Sequence, residues 1–551
     1  MTKRIAKKQN SSVSHFFILF FLLNLASNLF GLHYMDSQHP LDSVLSVISI
    51  SCMSALFAIA EAMVIHLLRK ARSLQIMIMV LLLTVHFILI GTEAFLLIEF
   101  GMIIGQDAID VLSETNARET SEFIDTYCNL HLLKPLLLSL AALAFAFLAS
   151  AYLASRRYVR WLVIALCVYG SVLIAKGTYS FIQYHSGEGL PQLTTITRGG
   201  YAYYVMRQQA NQFSTILEAS QHNDATIEDG FKPFNRVIVV IGESSSFYHC
   251  SLYGYRKETF PHMSALKDAG SLIAFDDVVT PFDATHGVMK CIFSLDHDNF
   301  GNAPLFPALF RKVGYYTQLL DNQYFVSQGV NFLTNAELSA ALFDNRNEGY
   351  YGHDGHMLPG IQLSDSLSLT ILHLNGQHYT YSDRFPESFA LFKPGDYDAQ
   401  DKSIEQRQVM AAYDNAGRYC DHVINEVIEQ FKEEDALLVF LSDHGEEVYD
   451  VRDYMGHGSA LSSPDPNYLL KVPFFVWMSD VARQSRGTLY DQLLQSESTP
   501  SITTNFSHFL LTLCGIRSAS VVQEKCFFSD RYDRTRPRIV LNSIDYDKEN
   551  K

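Results

Sequence analysis

The chain has little charge, and positive charge is the scarcer sign. Only 18% of its 551 residues are Asp, Glu, Lys or Arg, and its formal net charge is −16. A soluble protein usually has about 25% charged residues. A nucleic-acid-binding protein needs a basic face, which this composition does not supply. The chain also has no internal repeat and no low-complexity run, and 48% of its residues are hydrophobic, which excludes a disordered protein.

The shortage of charge is concentrated in the first third of the chain. Residues 1–190 contain 13 basic and 12 acidic residues, whereas residues 191–551 contain 29 basic and 46 acidic residues. The first third has five apolar runs, each long enough to cross roughly 30 Å of hydrocarbon as a helix. This excludes a purely soluble enzyme and predicts a five-helix transmembrane domain over 1–190. Its predicted spans are at about 15–33, 44–68, 75–99, 132–155 and 160–183.

Basic residues in the short loops set the orientation of these spans. Lys and Arg residues precede the first span, follow the second and separate the fourth from the fifth, whereas the other loops are acidic. This pattern predicts a cytoplasmic N-terminus and, after an odd number of spans, a C-terminal domain in the periplasm or extracellular space. Carboxylates inside a membrane are costly and are candidates for function. Those in or near the predicted spans are Glu61, Glu93 and Glu99.

The remaining two-thirds of the chain has the pattern of an α/β domain. Residues 191–234 are predicted to be a connector, and residues 235–551 alternate strand-like with helix-like segments, which predicts a mainly parallel sheet. Several apolar strand-like runs end directly in polar residues. The residues at these ends are Glu243, His373, Asp443 with His444, and Ser479 with Asp480.

Ligands of open α/β sheets bind outside the carboxyl ends of the strands. We therefore expect Glu243, His373 and the Asp443–His444 pair to lie at one edge of the sheet, with His457 added from a following loop. Carboxylate oxygens and imidazole nitrogens without a cysteine pair suit a zinc-like cation. One or two such ions suit phosphoryl-type transfer.

Three hydroxyl side chains are candidates for the nucleophile: Ser244, Ser245 and Thr285. Ser244 is not in a G-x-S-x-G elbow, because Ser246 occupies the last glycine position. Thr285 lies in a turn of small residues before a predicted helix, whose N-terminus would offer N–H groups to a phosphate. The residue types alone leave the choice between Ser244 and Thr285 open.

Ordered motifs along nearly the whole chain resemble one family. They are GESSSFYHCSLYGYRKETFP (242–261), DATHGVMKCIFS (283–294), LHLNGQHYTYSDRFP (372–386), YDNAGRYCDHVI (413–424) and SDHGEE (442–447) followed by MGHG. The set is similar to the phosphoethanolamine transferases of Gram-negative inner membranes. This resemblance implies a multi-pass inner-membrane protein whose periplasmic catalytic domain, 235–551, has an alkaline phosphatase/sulfatase-like fold with helices flanking a mainly parallel sheet.

The resemblance also implies roles for individual residues. The catalytic zinc would be held by Glu243, Thr285, Asp443 and His444. Thr285 would be the nucleophile, because it matches the family threonine six residues before a cysteine, here Cys291. The phosphate of phosphoethanolamine, or a second zinc, would be bound by His378 and His457. Two residues before the fourth span match the family's donor-binding segment: Thr115 and Glu119.

The function implied is ping-pong transfer of phosphoethanolamine from phosphatidylethanolamine, through a threonine intermediate, to a lipopolysaccharide core sugar or lipid A. The short Asp-Asn-Gln stretch and GYRKETFP resemble the members that modify core sugars. Three departures from the family pattern argue against a lipid A acceptor of the polymyxin-resistance type. Val111 replaces an asparagine, Pro281 replaces a cysteine, and no lysine follows Asp321-Asn-Gln. The alternatives are glycerol-phosphate transfer of the lipoteichoic-acid-synthase type and a non-catalytic membrane sensor.

The cysteines of the outer domain leave two possibilities open: a Cys514–Cys526 disulfide, and several buried free thiols.

Overall fold

The computed structural model describes most of the chain. The described residues are 2–34, 40–100, 102–105, 108–109, 112, 117–127, 130–153, 165–166, 168–172, 175, 194–296, 303–323, 332–347, 349–362, 367–398, 402–458, 460 and 463–549. They form two compact units, 1–208 and 209–551. The division lies inside the predicted connector, 191–234.

The first unit is helical. Its helices are α1 (Thr2–Asn28), α2 (Pro40–Leu67), α3 (Arg72–Phe100), α4 (Ala117–Tyr127) and α5 (Leu133–Leu153), and α6 (Thr195–Gln221) begins in this unit and ends in the second. Alanines on one face of α2 let a neighbouring helix approach closely. Ala55, Ala58 and Ala62 are buried there in one cluster with Phe20 and Leu23 of α1.

Four of the described helices are long and apolar enough to cross a membrane. They are Ser14–Leu32, Ser46–Lys70, Arg72–Phe100 and Leu133–Leu153. They agree within a few residues with the first four predicted spans, so the prediction of long apolar helices at these positions is confirmed. The predicted fifth span, 160–183, lies mostly outside the described residues.

The second unit has strands and shorter helices. The strands are β1 (Thr226–Ile227), β2 (Arg236–Gly242), β3 (Leu272–Phe275), β4 (Val278–Val279), β5 (Tyr316–Asp321), β6 (Asn345–Arg346), β7 (Ser368–His373), β8 (Ala436–Ser442), β9 (Glu447–Val448), β10 (Met455–Gly456), β11 (Phe474–Met478), β12 (Ser501–Ile502), β13 (Ile516–Arg517), β14 (Ile539–Val540) and β15 (Ile544–Asp545). The helices are α7 (Pro261–Asp268), α8 (Thr285–Phe293), α9 (Phe306–Lys312), α10 (Ala336–Leu342), α11 (Ile404–Phe431), α12 (Asn467–Leu470), α13 (Asp480–Ser485), α14 (Gly487–Gln495), α15 (Phe506–Leu513) and α16 (Tyr546–Glu549).

Seven strands form the central sheet, in the order β3-β11-β8-β2-β7-β5-β6. The neighbours from β8 to β6 are parallel, and β11 is antiparallel to both of its neighbours. The prediction of a mainly parallel sheet is confirmed. The direction of β11 places Ser479 and Asp480 at the edge of the sheet opposite to Glu243 and Asp443.

Both faces of the sheet are covered. Along β2, Val237, Val239 and Ile241 face one hydrophobic cluster, whereas Ile238 and Val240 face another. This alternation follows from the two-residue period of a strand. The first cluster includes side chains of α8, α9 and α15, and the second includes side chains of α7 and α11. Helices on both faces explain the continuous apolar runs of the parallel strands.

The described cysteines are buried and form no disulfide bond with one another: Cys52, Cys250, Cys291, Cys420, Cys514 and Cys526. Of the two alternatives left open by the sequence, the structure therefore has buried thiols, and Cys514 is not bonded to Cys526. Burial raises the pKa of the Cys526 thiol to about 12, so this side chain behaves as a small hydrophobic group.

Candidate active site

The carboxyl ends of β2 and β8 bring the predicted ligands together. These strands are parallel neighbours in which Gly242 pairs with Ser442, so Glu243 and Asp443 follow at the same edge. The backbone N–H of Ser244 donates to Asp443 Oδ1 over 3.1 Å and ties the two strand ends together. Glu243, Asp443 and His444 all have 0% exposure.

Thr285, the first residue of α8, faces this group. Its Oγ1 lies 3.2 Å from Glu243 Oε2 and 3.3 Å from His444 Nε2. His444 Nε2 is in turn 3.4 Å from Glu243 Oε1 and 3.3 Å from Asp443 Oδ2. The four residues predicted to hold zinc therefore converge.

The local backbone is shaped for this convergence. Ser244 has a left-handed φ of 57°, a conformation that is costly for a non-glycine residue and clusters at functional sites. Its Oγ donates to Glu243 Oε1 over 2.9 Å. Gly445 packs so closely on the next segment that a Cβ there would collide with the carbonyl oxygen of Tyr468. A glycine is therefore required between His444 and Glu446.

The hydrogen bonds of the cluster suit a cation. His444 Nδ1 lies 2.8 Å from the carbonyl oxygen of Gly445. Because a carbonyl only accepts, Nδ1 is the donor and the other ring nitrogen faces the carboxylates, as in metal-binding histidines. Asp443 Oδ2 is buried and accepts no hydrogen bond from the described residues. A buried carboxylate oxygen without a donor is costly, and a metal ion bound by Glu243, Asp443 and His444 would satisfy it. The ligand atoms of these three residues lie within 4.8 Å of one another.

Without a metal, the charged side chains of the cluster shift the pKa values of their neighbours. Burial and the charge of Glu243 raise the pKa of Asp443 to about 7. Burial alone would raise the pKa of Glu243, but the hydrogen bond and charge of His444 hold it well below its usual range. Burial opposes protonation of His444, yet the two carboxylates raise its pKa to about 10. A metal ion would therefore displace a proton when it binds.

Two more histidines lie beside this group. The ring centroid of His457 is 4.2 Å from that of His444 and 6.3 Å from that of His378. His457 Nδ1 is 2.8 Å from Glu446 Oε2, and the Tyr381 hydroxyl donates to Glu446 Oε1 over 2.5 Å. Burial lowers the pKa of His378 to about 3, so this ring is neutral. His444, Glu446 and His457 form a second group that could hold a metal ion.

The other residues predicted from the sequence do not join the cluster of Glu243, Asp443, His444 and Thr285 in the part of the chain that the structure describes. His373 ends β7 at the expected edge, but its Nδ1 is bound to Asp321 Oδ1 at 3.0 Å. Glu119 lies in α4, while Thr115 and the side chain of Glu119 lie outside the described residues. Sequence reasoning assigned no role to Glu446, although its place two residues after His444 in SDHGEE was a usable signal. It also assigned none to Gln323, for which the sequence offers no local signal.

The family follows from comparison with known proteins. The model of the family described as Sulfatase matches residues 235–516. The chain belongs to the sulfatase family. Phosphoethanolamine transferase EptC of Escherichia coli K12 is 29% identical to this sulfatase-family chain over 412 residues, which cover 69% of the chain and 70% of that relative. The resemblance that the motifs indicate is therefore confirmed.

Two solved structures share the fold of this sulfatase-family chain. One is the C-terminal periplasmic domain of Escherichia coli EptC in complex with zinc, with a TM-score of 0.51 and 23% identity over 59% of this chain and 96% of that domain. The other is the integral membrane lipooligosaccharide phosphoethanolamine transferase A of Neisseria meningitidis, with a TM-score of 0.62 and 17% identity over 94% of this chain and 98% of that protein. The predicted fold class is confirmed.

Proposed function

We propose that the chain transfers phosphoethanolamine from phosphatidylethanolamine to a lipopolysaccharide acceptor, with Thr285 as the nucleophile. One observation carries the proposal: the Thr285 hydroxyl lies at the start of α8 and within 3.3 Å of both Glu243 and His444. The 29% sequence identity to a phosphoethanolamine transferase supports phosphoethanolamine as the group that is transferred.

Thr285 suits this role better than Ser244. The Ser244 hydroxyl is fully buried and donates to Glu243 Oε1, so it holds a ligand in place. Thr285 is partly exposed and begins a helix of nine residues. The free N–H groups of that first turn would stabilise the phosphate oxygens of a bound head group.

Glu243, Asp443, His444 and Thr285 would hold the catalytic zinc. Zinc bound there would neutralise phosphate oxygens and lower the pKa of the attacking hydroxyl. The fit rests on the donor set and on Asp443 Oδ2, which accepts no hydrogen bond from the described residues. A zinc complex of a domain with the same fold is compatible with it.

The transfer runs in two half-reactions. Thr285 Oγ1 attacks the phosphorus of the donor, the new bond to phosphorus forms, the bond from phosphorus to the glycerol oxygen breaks, and diacylglycerol leaves with a proton. Two atoms lie close enough to accept the threonine proton: Glu243 Oε2 at 3.2 Å and His444 Nε2 at 3.3 Å. An oxygen of the acceptor hydroxyl or phosphate then attacks the same phosphorus, the bond from phosphorus to Thr285 Oγ1 breaks, and Oγ1 takes up the proton that the acceptor hydroxyl, or water in the case of a phosphate acceptor, gives up. Ping-pong kinetics follow from the covalent intermediate.

Other residues would bind the substrates. His378 and His457, beside His444, would contact the phosphate of the transferred group or hold a second zinc. Thr115 and Glu119 remain predicted donor contacts. We propose the bacterial inner membrane as the location, with the catalytic domain in the periplasm, where both lipid donor and glycolipid acceptor are available. The acceptor would be a core sugar or lipid A.

Labelled lipids test this proposal. The purified full-length protein would be incubated with phosphatidylethanolamine or phosphatidylglycerol, each labelled in the head group, and the protein mass would be measured. We expect one phosphoethanolamine on the protein from the first lipid and none from the second. Label from phosphatidylglycerol alone would indicate glycerol-phosphate transfer instead.

Variants locate the label. Thr285→Ala should abolish it while zinc binding is weakened but present. Thr280→Ala, a buried threonine five residues earlier, is the matched control and should label normally. Normal labelling of the Thr285→Ala protein would contradict the assignment. Mass spectrometry of lipopolysaccharide from cells with and without the chain would identify the acceptor.

A further inference from the structure

The carboxylate of Glu243 is held by more than the residues named as zinc ligands. Its Oε1 accepts from Ser244 Oγ at 2.9 Å. Its Oε2 accepts from Thr285 Oγ1, and also from the side-chain amide of Gln323 at 2.9 Å. Gln323 follows β5, 80 residues away from Glu243 along the chain. A third strand end therefore contributes to the site.

The amide of Gln323 is itself fixed. Its Nε2 donates to the carbonyl oxygen of Leu374 over 2.7 Å as well as to Glu243. Both partners are pure acceptors, so the nitrogen and not the oxygen of the amide must face them. The side chain is only 6% exposed. A glutamate here would turn an acceptor toward two acceptors, and a shorter residue would not reach both.

The backbone of Gln323 is anchored by a buried ion network. Its N–H donates to Asp321 Oδ1 over 2.9 Å. Asp321, with 0% exposure, is paired with Arg346 at 3.2 Å and with His373 at 3.0 Å. This explains the position of His373 at the site edge: it secures the segment that carries Gln323.

We infer that Gln323 is a positioning residue that orients the Glu243 carboxylate for metal binding. This inference rests on the proposed ligation of zinc by Glu243. An amide can fix a carboxylate without a positive charge, whereas a lysine or arginine at this place would repel a dication. Hydrogen-bond partners of metal ligands typically change metal affinity by about 10–100-fold when they are removed.

The test measures zinc affinity of the full-length protein by competition with a chelating dye. Gln323→Met keeps the size of the side chain and removes its donors, so we expect about 10–100-fold weaker binding. The control is Gln318→Met. Gln318, on β5, is 1% exposed, and its amide bonds to the backbone at Gly360 and Gln362. This variant should bind zinc within about twofold of wild type.

A melting curve of each metal-free variant shows whether a loss of zinc affinity comes from unfolding or from a misoriented Glu243 carboxylate. Should Gln323→Met fail to fold, Gln323→Asn carries the test, since it keeps the amide but withdraws it from Glu243. Wild-type affinity in the folded Gln323 variant, together with loss of zinc in Glu243→Ala, overturns the role of Gln323 and leaves the proposed function intact. A wild-type protein that binds no zinc overturns both.

Discussion

Two regions of the molecule bury carboxylates completely, and they treat the charge differently. In the helical unit, Glu93 has 0% exposure. Its Oε1 accepts from Thr195 Oγ1 at 2.7 Å and from the Arg198 guanidinium, and its Oε2 accepts from the N–H of Ile104 at 3.0 Å. Arg198 is itself only 6% exposed. The charge of Glu93 is thus neutralised within the unit.

The active site leaves its charge in excess. Glu243 and Asp443 are equally buried, but among the described residues His444 is the basic side chain with which each forms an ion pair. Asp443 Oδ2 accepts no hydrogen bond from any residue that the structure describes. Both oxygens of Glu93 have donors, whereas Asp443 keeps a buried oxygen without a hydrogen bond beside a second carboxylate, an arrangement that a cation would complete. The missing donor at Asp443 therefore separates the candidate functional cluster from the structural one.

The largest expected effect concerns Asp443. Asp443→Asn removes a ligand and should lower transfer by roughly a thousandfold. It should not destabilise the metal-free protein, because it also removes the repulsion between Asp443 and Glu243. Thermal unfolding with a chelator present checks this. Asp435→Asn is the contrast in the same unit: Asp435 is paired with Arg486 at 2.7 Å, so its loss should destabilise. A metal-free Asp443→Asn protein that melts as early as Asp435→Asn would end the distinction.

The second effect concerns Arg198. Arg198→Met leaves Glu93 charged and unpaired inside the helical unit, which should cost about 3–5 kcal/mol of unfolding free energy. Adding Glu93→Gln should restore part of the loss, since the double variant buries no charge. Unfolding in detergent measures both. Equal destabilisation in the single and double variants would mean that packing, and not the charge of Glu93, governs this cluster.

What the sequence could predict depends on whether a feature is set by neighbouring residues or by residues far apart in the chain. The first four spans depend on length and hydropathy alone, and Glu243, Asp443 and His444 depend on strands whose ends are visible as apolar runs. The antiparallel direction of β11 was not predictable, because an apolar run has no direction. Arg198 and Gln323 were missed because their partners lie 105 and 80 residues away. Such pairs are created by packing and leave no periodic pattern.

A third cluster tests whether a missing hydrogen-bond donor or the location of a cluster distinguishes a functional site. His249 lies in the same unit as the active site and is buried between two aspartates, with Nδ1 2.8 Å from Asp414 and Nε2 3.0 Å from Asp450. Burial lowers the pKa of His249, but both aspartates raise it from 6.5 to about 10. Unlike Asp443, both aspartates have a donor at each oxygen: Asp414 Oδ2 accepts from the hydroxyls of Tyr255 and Tyr397, and Asp450 Oδ2 accepts from the N–H of Val448. We therefore expect this cluster to be structural.

The expected signature is a pH dependence of stability. Because the pKa of His249 is higher in the folded chain than in the unfolded chain, the folded chain holds the extra proton between about pH 6.5 and 10. The contribution of His249 is complete below pH 6.5 and is lost as the pH rises toward 10. The unfolding free energy of wild type should therefore fall relative to His249→Gln over that range, and the difference should stay constant below it. His222→Gln, at an exposed histidine, should show no such change. A difference independent of pH would mean that packing, and not its ion pairs with the two aspartates, holds His249, and that a complete set of donors does not identify structural clusters in this unit.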